Sequence, residues 1–354
     1  MYSGKVLSCL TLELALFMGG LSTISPAQDL LKVQVSALAN EKRILVQVQG
    51  KPFTEFIYAD SLEKPVLYPI YSAGEYIVTR GFPLRPRVGE STDHPHHLGL
   101  WFNYENVNGL DFWNNSYAIA PDKKNTYGWI VTDSILLTKS GTHGAIRYSA
   151  HWEDQQHTRL ISESTSFIFS ADKNKRIIDR LTKLTALTDL SFPDSKDGML
   201  GLRVTRELQI PSLETKQYAD NKGNISSVSA SADSLVNGNY LSSEGNSGND
   251  VWGKRAIWCL LYGKIRSDTI SIAIIDHPGN PGYPTYWHAR GYGLFAANPL
   301  GQKIFSNGRE ALNFSLKKGM SAIFRFRIVL ATGKNRLSNS VLNELASSFA
   351  KSAE

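Results

Sequence analysis

Asp93-His94-Pro95-His96-His97 places three of the chain's eight histidines within four residues. Imidazole titrates near neutral pH and is a common metal ligand, so this cluster is a candidate for proton transfer or metal binding. Pro95 fixes its own φ and restricts His94, which predicts an extended, stiff segment. In an extended chain His94 and His96 share one face and His97 takes the other. Two imidazoles on one face suit one divalent metal ion, with Asp93 or Asp276 as a carboxylate ligand. They equally suit a general acid beside a substrate-orienting donor. The bland alternative is a set of structural histidines at a strand entrance.

A second block, Asp276-His277-Pro278 through Tyr286-Trp287-His288-Ala289-Arg290, follows the apolar run Ile270–Ile275. Loops that end buried strands often carry catalytic groups, and Asp-His-Pro occurs in both blocks, although Asp beside Pro is also ordinary turn chemistry. Trp101, Trp113, Tyr286 and Trp287 lie close to these histidines in sequence. Aromatic faces beside hydrogen-bonding side chains suit a sugar, with core packing as the competing use. Trp287, flanked by Tyr286 and His288, is the preferred ligand-facing ring. Arg80 follows Tyr76–Thr79, and Arg203 and Arg206 flank Val204-Thr205. Their forked donors suit a carboxylate or a hydroxylated substrate, with surface ion pairs as the alternative. Glu75 and Glu207 are further candidate bases or metal ligands.

The elements that must position these groups read as strands. Val33 and Val35 alternate with Gln34 and Ser36; Ile44, Val46 and Val48 with Arg43, Gln47 and Gln49; Ile146, Tyr148, Ala150 and Trp152 with Arg147, Ser149 and His151. Ile270, Ile272 and Ile274, then Phe324, Phe326 and Ile328, continue the period of two. Turn residues at Asn40, Gly50, Gly141, Asn174 and Gly319 separate the runs, which predicts an all-β antiparallel sandwich or barrel. Leu337, Val341, Leu342, Leu345 and Phe349 fall at helical spacing and predict one C-terminal helix starting near Ser338. Residues 221–250, rich in Ser, Asn and Gly, read as a long surface loop at the mouth of a site within a single domain spanning 28–354.

The chain has 354 residues and a formal net charge of +6. Lys and Arg are scattered and no basic run interleaves with aromatics, so nothing marks a nucleic-acid partner. Lys5, the apolar stretch Leu10–Leu21 and the small residues Ser25-Pro26-Ala27 predict an export signal over residues 1–27 and a periplasmic or secreted mature protein, with Glu13 interrupting the apolar stretch. After it, no stretch of about 20 apolar residues predicts a membrane span. Cys9 leaves with the signal, and Cys259 in Ile257–Leu261 reads as a buried thiol. The sequence has no phosphate-cradling Gly-rich loop, no Gly-x-Ser-x-Gly elbow and no His-Glu-x-x-His, and no nucleotide cofactor is expected.

Several segments carry a resemblance to a known family: Val78-Thr79-Arg80, Asp93 through Phe102, Val107-Asn108-Gly109-Leu110-Asp111-Phe112-Trp113, Pro284 through Gly293, and Ala297-Asn298-Pro299-Leu300-Gly301. The chain resembles the DUF6807 family, often labelled PmoA-like, over most of its mature length. The oxygenase label is set aside, because a true particulate methane monooxygenase subunit spans the membrane several times. The resemblance implies a large antiparallel supersandwich similar to galactose mutarotases, in secreted proteins associated with sugar degradation. It implies His94, His96 and His288 as acids or ligands, with Arg290 and Asn298 near the substrate. No position matches the epimerases' catalytic glutamate.

The combined expectation is an exported carbohydrate-active enzyme of epimerase, lyase or hydrolase type acting on a small carbohydrate. His94, His96, His97, His277 and His288 would converge on one pocket, with Arg80, Arg206, Trp101, Trp287, Arg290 and Asn298 binding substrate. The rivals are a non-catalytic carbohydrate-binding protein and a structural surface module, the latter marked by a closed apolar surface around His94.

Overall fold

The alternating runs fold as strands that bury one side. Arg43–Val48 buries Ile44, Val46 and Val48 and leaves the residues between them half-buried. Asp268–Asp276 is buried almost throughout, because it is covered on both faces. The computed structural model describes residues 30–212, 216–219, 225–228 and 234–352. The expected signal at 1–27, with Cys9, lies outside the described residues.

Two eight-stranded antiparallel sheets result. The first has the spatial order Val33–Leu38, Arg43–Val48, Lys51–Ile57, Val66–Ile70, Leu100–Tyr104, Gly198–Arg203, Leu294–Asn298, Tyr286–Arg290. The second has the order Asn239–Ser242, Trp258–Ile265, Asp268–Asp276, Ser321–Gly333, Lys175–Ala186, Arg159–Ala171, His143–Glu153, Trp129–Lys139. Their facing sides share one apolar core that includes Ile44, Val46, Phe102, Leu200, Trp287 and Phe295 from the first sheet and Ile146, Trp152, Ile272, Phe326 and Ile328 from the second. The expected all-β sandwich is therefore observed.

The two outer faces differ. The predicted helix forms at Asn339–Ala350, with the Ser338 side chain accepting from the Val341 N–H at its start. Its Leu342 and Phe349 pack on Trp258, Leu260, Ala273 and Ile275, so the helix covers the outer face of the second sheet. The outer face of the first sheet is covered instead by loops, which bury Trp101, Leu294 and Ala296 with Leu98 and Trp113. Directly paired positions set Trp101, Gly201, Ala296 and His288 in one row across four strands, with Arg203, Leu294 and Arg290 in the next. Side chains at paired positions share a face, so this row presents functional groups together.

The expected loop at 221–250 is more ordered than its composition suggests. Ile225–Val228 pairs with Lys216–Ala219, which pairs with Glu90–Ser91. Asn239–Ser242 joins the edge of the second sheet. Backbone pairing therefore places Lys216–Ala219 between this segment and Glu90–Ser91; the parts at 221–224 and 229–233 lie outside the described residues. Cys259 is buried, and burial pushes its thiol well above the ordinary range. Among the described residues no helix is long and apolar enough to cross a membrane.

Gly201 faces the ring system beneath the site. A methyl placed there would lie 2.6 Å from Trp101 Cε2 and 2.8 Å from Trp113 Cη2, and neither ring can retreat within the packed face. Gly201→Ala is expected to destabilise by about 1–3 kcal/mol, read as a lower denaturant midpoint followed by tryptophan fluorescence; an unchanged midpoint would show that the rings give way.

Candidate functional site

Arg80 and Arg203 are neighbours, the Arg80 N–H donating to the Arg203 carbonyl at 3.0 Å, and both guanidinium side chains are fully buried. Asp93 answers them. Its Oδ1 accepts from Arg80 Nη1 and Arg203 Nη2, each at 2.6 Å. Its Oδ2 accepts from His94 Nδ1 at 2.6 Å. Burial alone would raise the Asp93 carboxyl, but the His94 hydrogen bond and the two guanidinium charges overcome it and hold the group well below the usual carboxylate range. Burial and the charge of Arg203 push Arg80 down to about 9. Arg203 also donates to Ser91 Oγ at 3.1 Å.

The segment after Asp93 is a turn, which corrects the expected extended conformation. The His97 N–H donates to the His94 carbonyl at 3.0 Å, and that carbonyl also accepts from Arg80 Nη2 at 2.9 Å. Pro95 sits inside the turn, a position it favours. His94 adopts φ 46°, a left-handed conformation uncommon outside glycine and frequent at functional sites. The turn gathers all three imidazoles instead of dividing them between faces. The His94 and His97 rings are parallel with centroids 4.8 Å apart, and His96 stands edge-on to both at 5.6 and 4.4 Å.

Hydrogen-bond partners fix two tautomers. A guanidinium only donates, so His97 Nδ1, 3.1 Å from Arg203 Nη1, accepts, and the His97 proton sits on Nε2. His94 donates through Nδ1 to Asp93, which leaves its Nε2 lone pair outward on a side chain that is 39% exposed. His96 has no hydrogen-bond partner among the described residues. Burial, reinforced by the nearby Lys64 charge, pushes it down to about 2, so it is neutral at physiological pH. Burial likewise holds His97 well below its ordinary value. The surroundings of His94 are charged and polar, not the closed apolar surface of a structural module.

Trp101 and Trp113 form the floor. His97 stacks on Trp101 at 5.2 Å, and the two indoles lie 5.0 Å apart. Trp101 is fully buried, so it supports the imidazoles and does not face a ligand. Lys64 lies beneath them, donating to the Trp113 carbonyl at 3.2 Å, and burial pushes its amine down to about 8. Sequence reasoning missed Lys64, which sits between Glu63 and Pro65 with no pattern to mark it.

A second Asp–His pair lies along the same face. His288 Nδ1 is 3.2 Å from Asp197 Oδ1, though too poorly aligned to count as a hydrogen bond. Burial lowers His288 against the pull of Asp197; burial would raise Asp197, but His288 holds it below its ordinary value. Tyr292, in the hairpin turn Gly291-Tyr292-Gly293, joins the two parts. Its ring lies parallel to His94 at 5.0 Å, with the Arg203 guanidinium 4.8 Å and that of Arg290 5.9 Å from its centroid. Asp197 and Tyr292 were not among the expected site residues.

Other expectations are corrected. Trp287 points into the core between the sheets, where its indole N–H donates to the Ala256 carbonyl. Asn298 is buried and donates to the carbonyls of Ser195 and Lys196, so it holds the loop that carries Asp197 and has no surface for substrate. Arg80 is consumed by Asp93 and backbone carbonyls. Asp276 accepts from the N–H groups of His277 and Thr285 and from Asn280 Nδ2, and burial raises it to about 7. His277 packs edge-on against Phe349 of the helix, on the other side of the sandwich. Neither can join His94 in holding a metal or a substrate. Arg206 lies against Gly89, Glu75 pairs with Lys51 on the surface, and Glu207 accepts from Thr205. Among the described residues no three His, Cys, Asp or Glu side chains are grouped to hold a metal ion.

A cluster the sequence reading passed over sits on the second sheet. His151, expected to face outward, is buried between Asp133 and Glu153 at 2.9 Å each, and Glu153 also meets His157 at 2.7 Å. His151, Glu153 and His157 line a cavity of about 500 Å³ with Tyr58 and Trp129. They satisfy one another, whereas the face around His94 leaves His94 Nε2 and His96 open.

Residues 43–347 match the profile of a family described as "Family of unknown function (DUF6807)". No curated protein matches the chain. Solved structures that overlay on it include the Slr1438 protein from Synechocystis sp. PCC 6803, at 10% identity and TM-score 0.28, covering 88% of this chain and 99% of that one. A candidate aldose 1-epimerase from Escherichia coli K12 overlays at 10% identity and TM-score 0.28, covering 85% and 99%. A galactose mutarotase related enzyme from Lactobacillus acidophilus does so at 8% identity and TM-score 0.29, covering 86% and 99%.

Removing the Asp93 charge should expose how much the buried guanidiniums depend on it. Asp93→Asn is expected to cost roughly 2–4 kcal/mol at pH 7, the loss for a broken buried pair reduced by solvent screening, since 36% of this side chain is exposed. The native carboxyl lies below its unfolded value, so its contribution is complete above about pH 5 and is lost as pH falls through the native value. Urea midpoints of both proteins at pH 7 and pH 3 test this; a gap that does not narrow in acid would refute it.

Proposed function

The chain belongs to the DUF6807 family, and on that footing we propose that it is an exported enzyme that transfers protons on a small carbohydrate. The observation that carries this reading is the Asp93–His94 pair at 2.6 Å, with His94 Nε2 open beside the unpartnered His96. A carboxylate on Nδ1 fixes the tautomer, aims Nε2 and stabilises the imidazolium that forms when Nε2 takes a proton. His94 is the general base and, in return, the general acid. His96 is a neutral hydrogen-bonding group suited to a sugar hydroxyl, and the buried His97, stacked between His94 and Trp101, supports it. His288, paired with Asp197 on the same face, is a second proton carrier. Proton removal at one group and delivery from another serves epimerisation, elimination or hydrolysis. The amino-terminal pattern of Lys5, Leu10–Leu21 and Ser25–Ala27 supports work outside the cytosol.

The test is turnover of a panel of monosaccharides and disaccharides followed by proton NMR. His94→Gln is expected to lower kcat by about 10²–10⁴-fold with a small change in KM. His277→Gln, on the far side of the sandwich, should alter neither. Full turnover by the His94 variant would remove the proposal. Sugar binding without conversion by the unaltered protein would assign it instead as a carbohydrate-binding protein.

A further inference from the structure

Arg290 is an exposed guanidinium that no carboxylate neutralises among the described residues. Arg80, Arg87, Arg180, Arg203, Arg255 and Arg327 each pair with an Asp or Glu. Arg290 instead lies between two rings, its Cζ 5.6 Å from the Trp252 centroid and 5.9 Å from that of Tyr292. Aromatic contact on both sides holds the planar fork in place without using its N–H donors. The fork opens on a cavity of about 350 Å³ whose lining includes Asn249, Trp252 and Tyr292 and, among the described residues, contains no Asp or Glu. An unpaired cation at the mouth of a cavity suits an anionic ligand.

The cavity is one ring away from the proton-transfer pair. Tyr292 forms its wall and lies parallel to His94 at 5.0 Å. Arg290 and Arg203 flank Leu294 in a single cross-strand row, so both cations serve the same face. Asp93 neutralises Arg203, and Arg290 has no counterpart to Asp93 among the described residues. A carboxylate, planar with two oxygens, matches the guanidinium fork better than a hydroxyl does.

We infer that the substrate is an acidic carbohydrate, a uronic acid or a short saccharide bearing one, whose carboxylate binds Arg290 beside Trp252 while its reacting carbon reaches His94. This rests on the carbohydrate reading above and adds the charge class and the docking residue. No chemical step is added: Arg290 neutralises and orients the carboxylate, and the proton moves through His94.

The experiment is calorimetric titration of the full chain with D-glucuronate and D-galacturonate against D-glucose and D-galactose, in the unaltered protein, Arg290→Gln and Arg290→Lys. Each uronate is expected to bind about 10- to 100-fold more tightly than its neutral counterpart, the range for a charge-assisted hydrogen-bonded pair. That ratio should collapse toward one in Arg290→Gln, stay partly in Arg290→Lys and shrink with added salt. Arg290 is solvent-facing, and near-UV circular dichroism checks that the variants are folded. Equal binding of neutral and acidic sugars, or a preference that survives Arg290→Gln, overturns the inference while leaving the carbohydrate reading standing. Binding of neither class overturns both.

Discussion

Two guanidinium groups with no exposed surface are the most demanding feature of this molecule, and the Asp93 carboxylate is what makes them tolerable. Removing a cation from water costs several kcal/mol unless charge and hydrogen bonds replace the solvent. Asp93 meets two such cations through one oxygen, and the second oxygen is left for His94. Arg80 then uses a remaining donor on the His94 carbonyl, which belongs to the turn, and Arg203 uses one on His97 Nδ1. A single ionic cluster thereby sets the turn, two imidazole tautomers and the position of Tyr292, which lies over Arg203. The site is organised from beneath, by charge, before any ligand arrives.

The electrostatic consequence is a division of labour among histidines that look alike in sequence. Burial and neighbouring cations keep His96 and His97 uncharged. A group held that far below neutrality is a poor proton acceptor and a good hydrogen-bonding partner. His94 is placed differently: a carboxylate contacts its Nδ1 at 2.6 Å and part of its side chain meets solvent. The stacked floor of Trp101 and Trp113 adds shape without adding charge.

Strand periodicity made the sandwich legible, since Ile44, Val46 and Val48, or Phe324, Phe326 and Ile328, declare their buried side by alternation. The C-terminal helix was legible for the same reason, down to Ser338 as its cap. The histidine cluster was visible because it is local. Its partners were not, because period and composition say which side of a strand is buried but not which strands become neighbours. Arg203 and Asp93 are 110 positions apart, and nothing local in either segment marks the other. Asp197 and Lys64 carry no pattern at all. The extended reading of 93–97 failed because it applied the usual restriction before proline, whereas His94 takes a left-handed φ supported by the Arg80 and His97 hydrogen bonds to its carbonyl. The Trp287 error was avoidable: consecutive residues on a strand point to opposite faces, so Trp287 and His288 could not both face a ligand.

Why the site lies on the first sheet and not the second follows from how the outer faces are closed. A sandwich sheet has an inner face filled by its partner and an outer face that must be either polar or covered. The second sheet carries Trp258, Leu260, Ala273 and Ile275 outward, and the helix Asn339–Ala350 removes them from water. His277 is caught under that cover against Phe349 and is lost to chemistry. The first sheet carries Arg203, His288 and Arg290 outward in rows whose intervening positions are Gly201, Leu294 and Ala296. Gly201 and Ala296 let the Trp101 and Trp113 rings pack closely on the sheet, and the turns carrying His94 and Tyr292 rise beside those rings. A helix closes one face and loops close the other, and the loops bring the turns carrying His94 and Tyr292 against ionisable groups that the fold has already oriented.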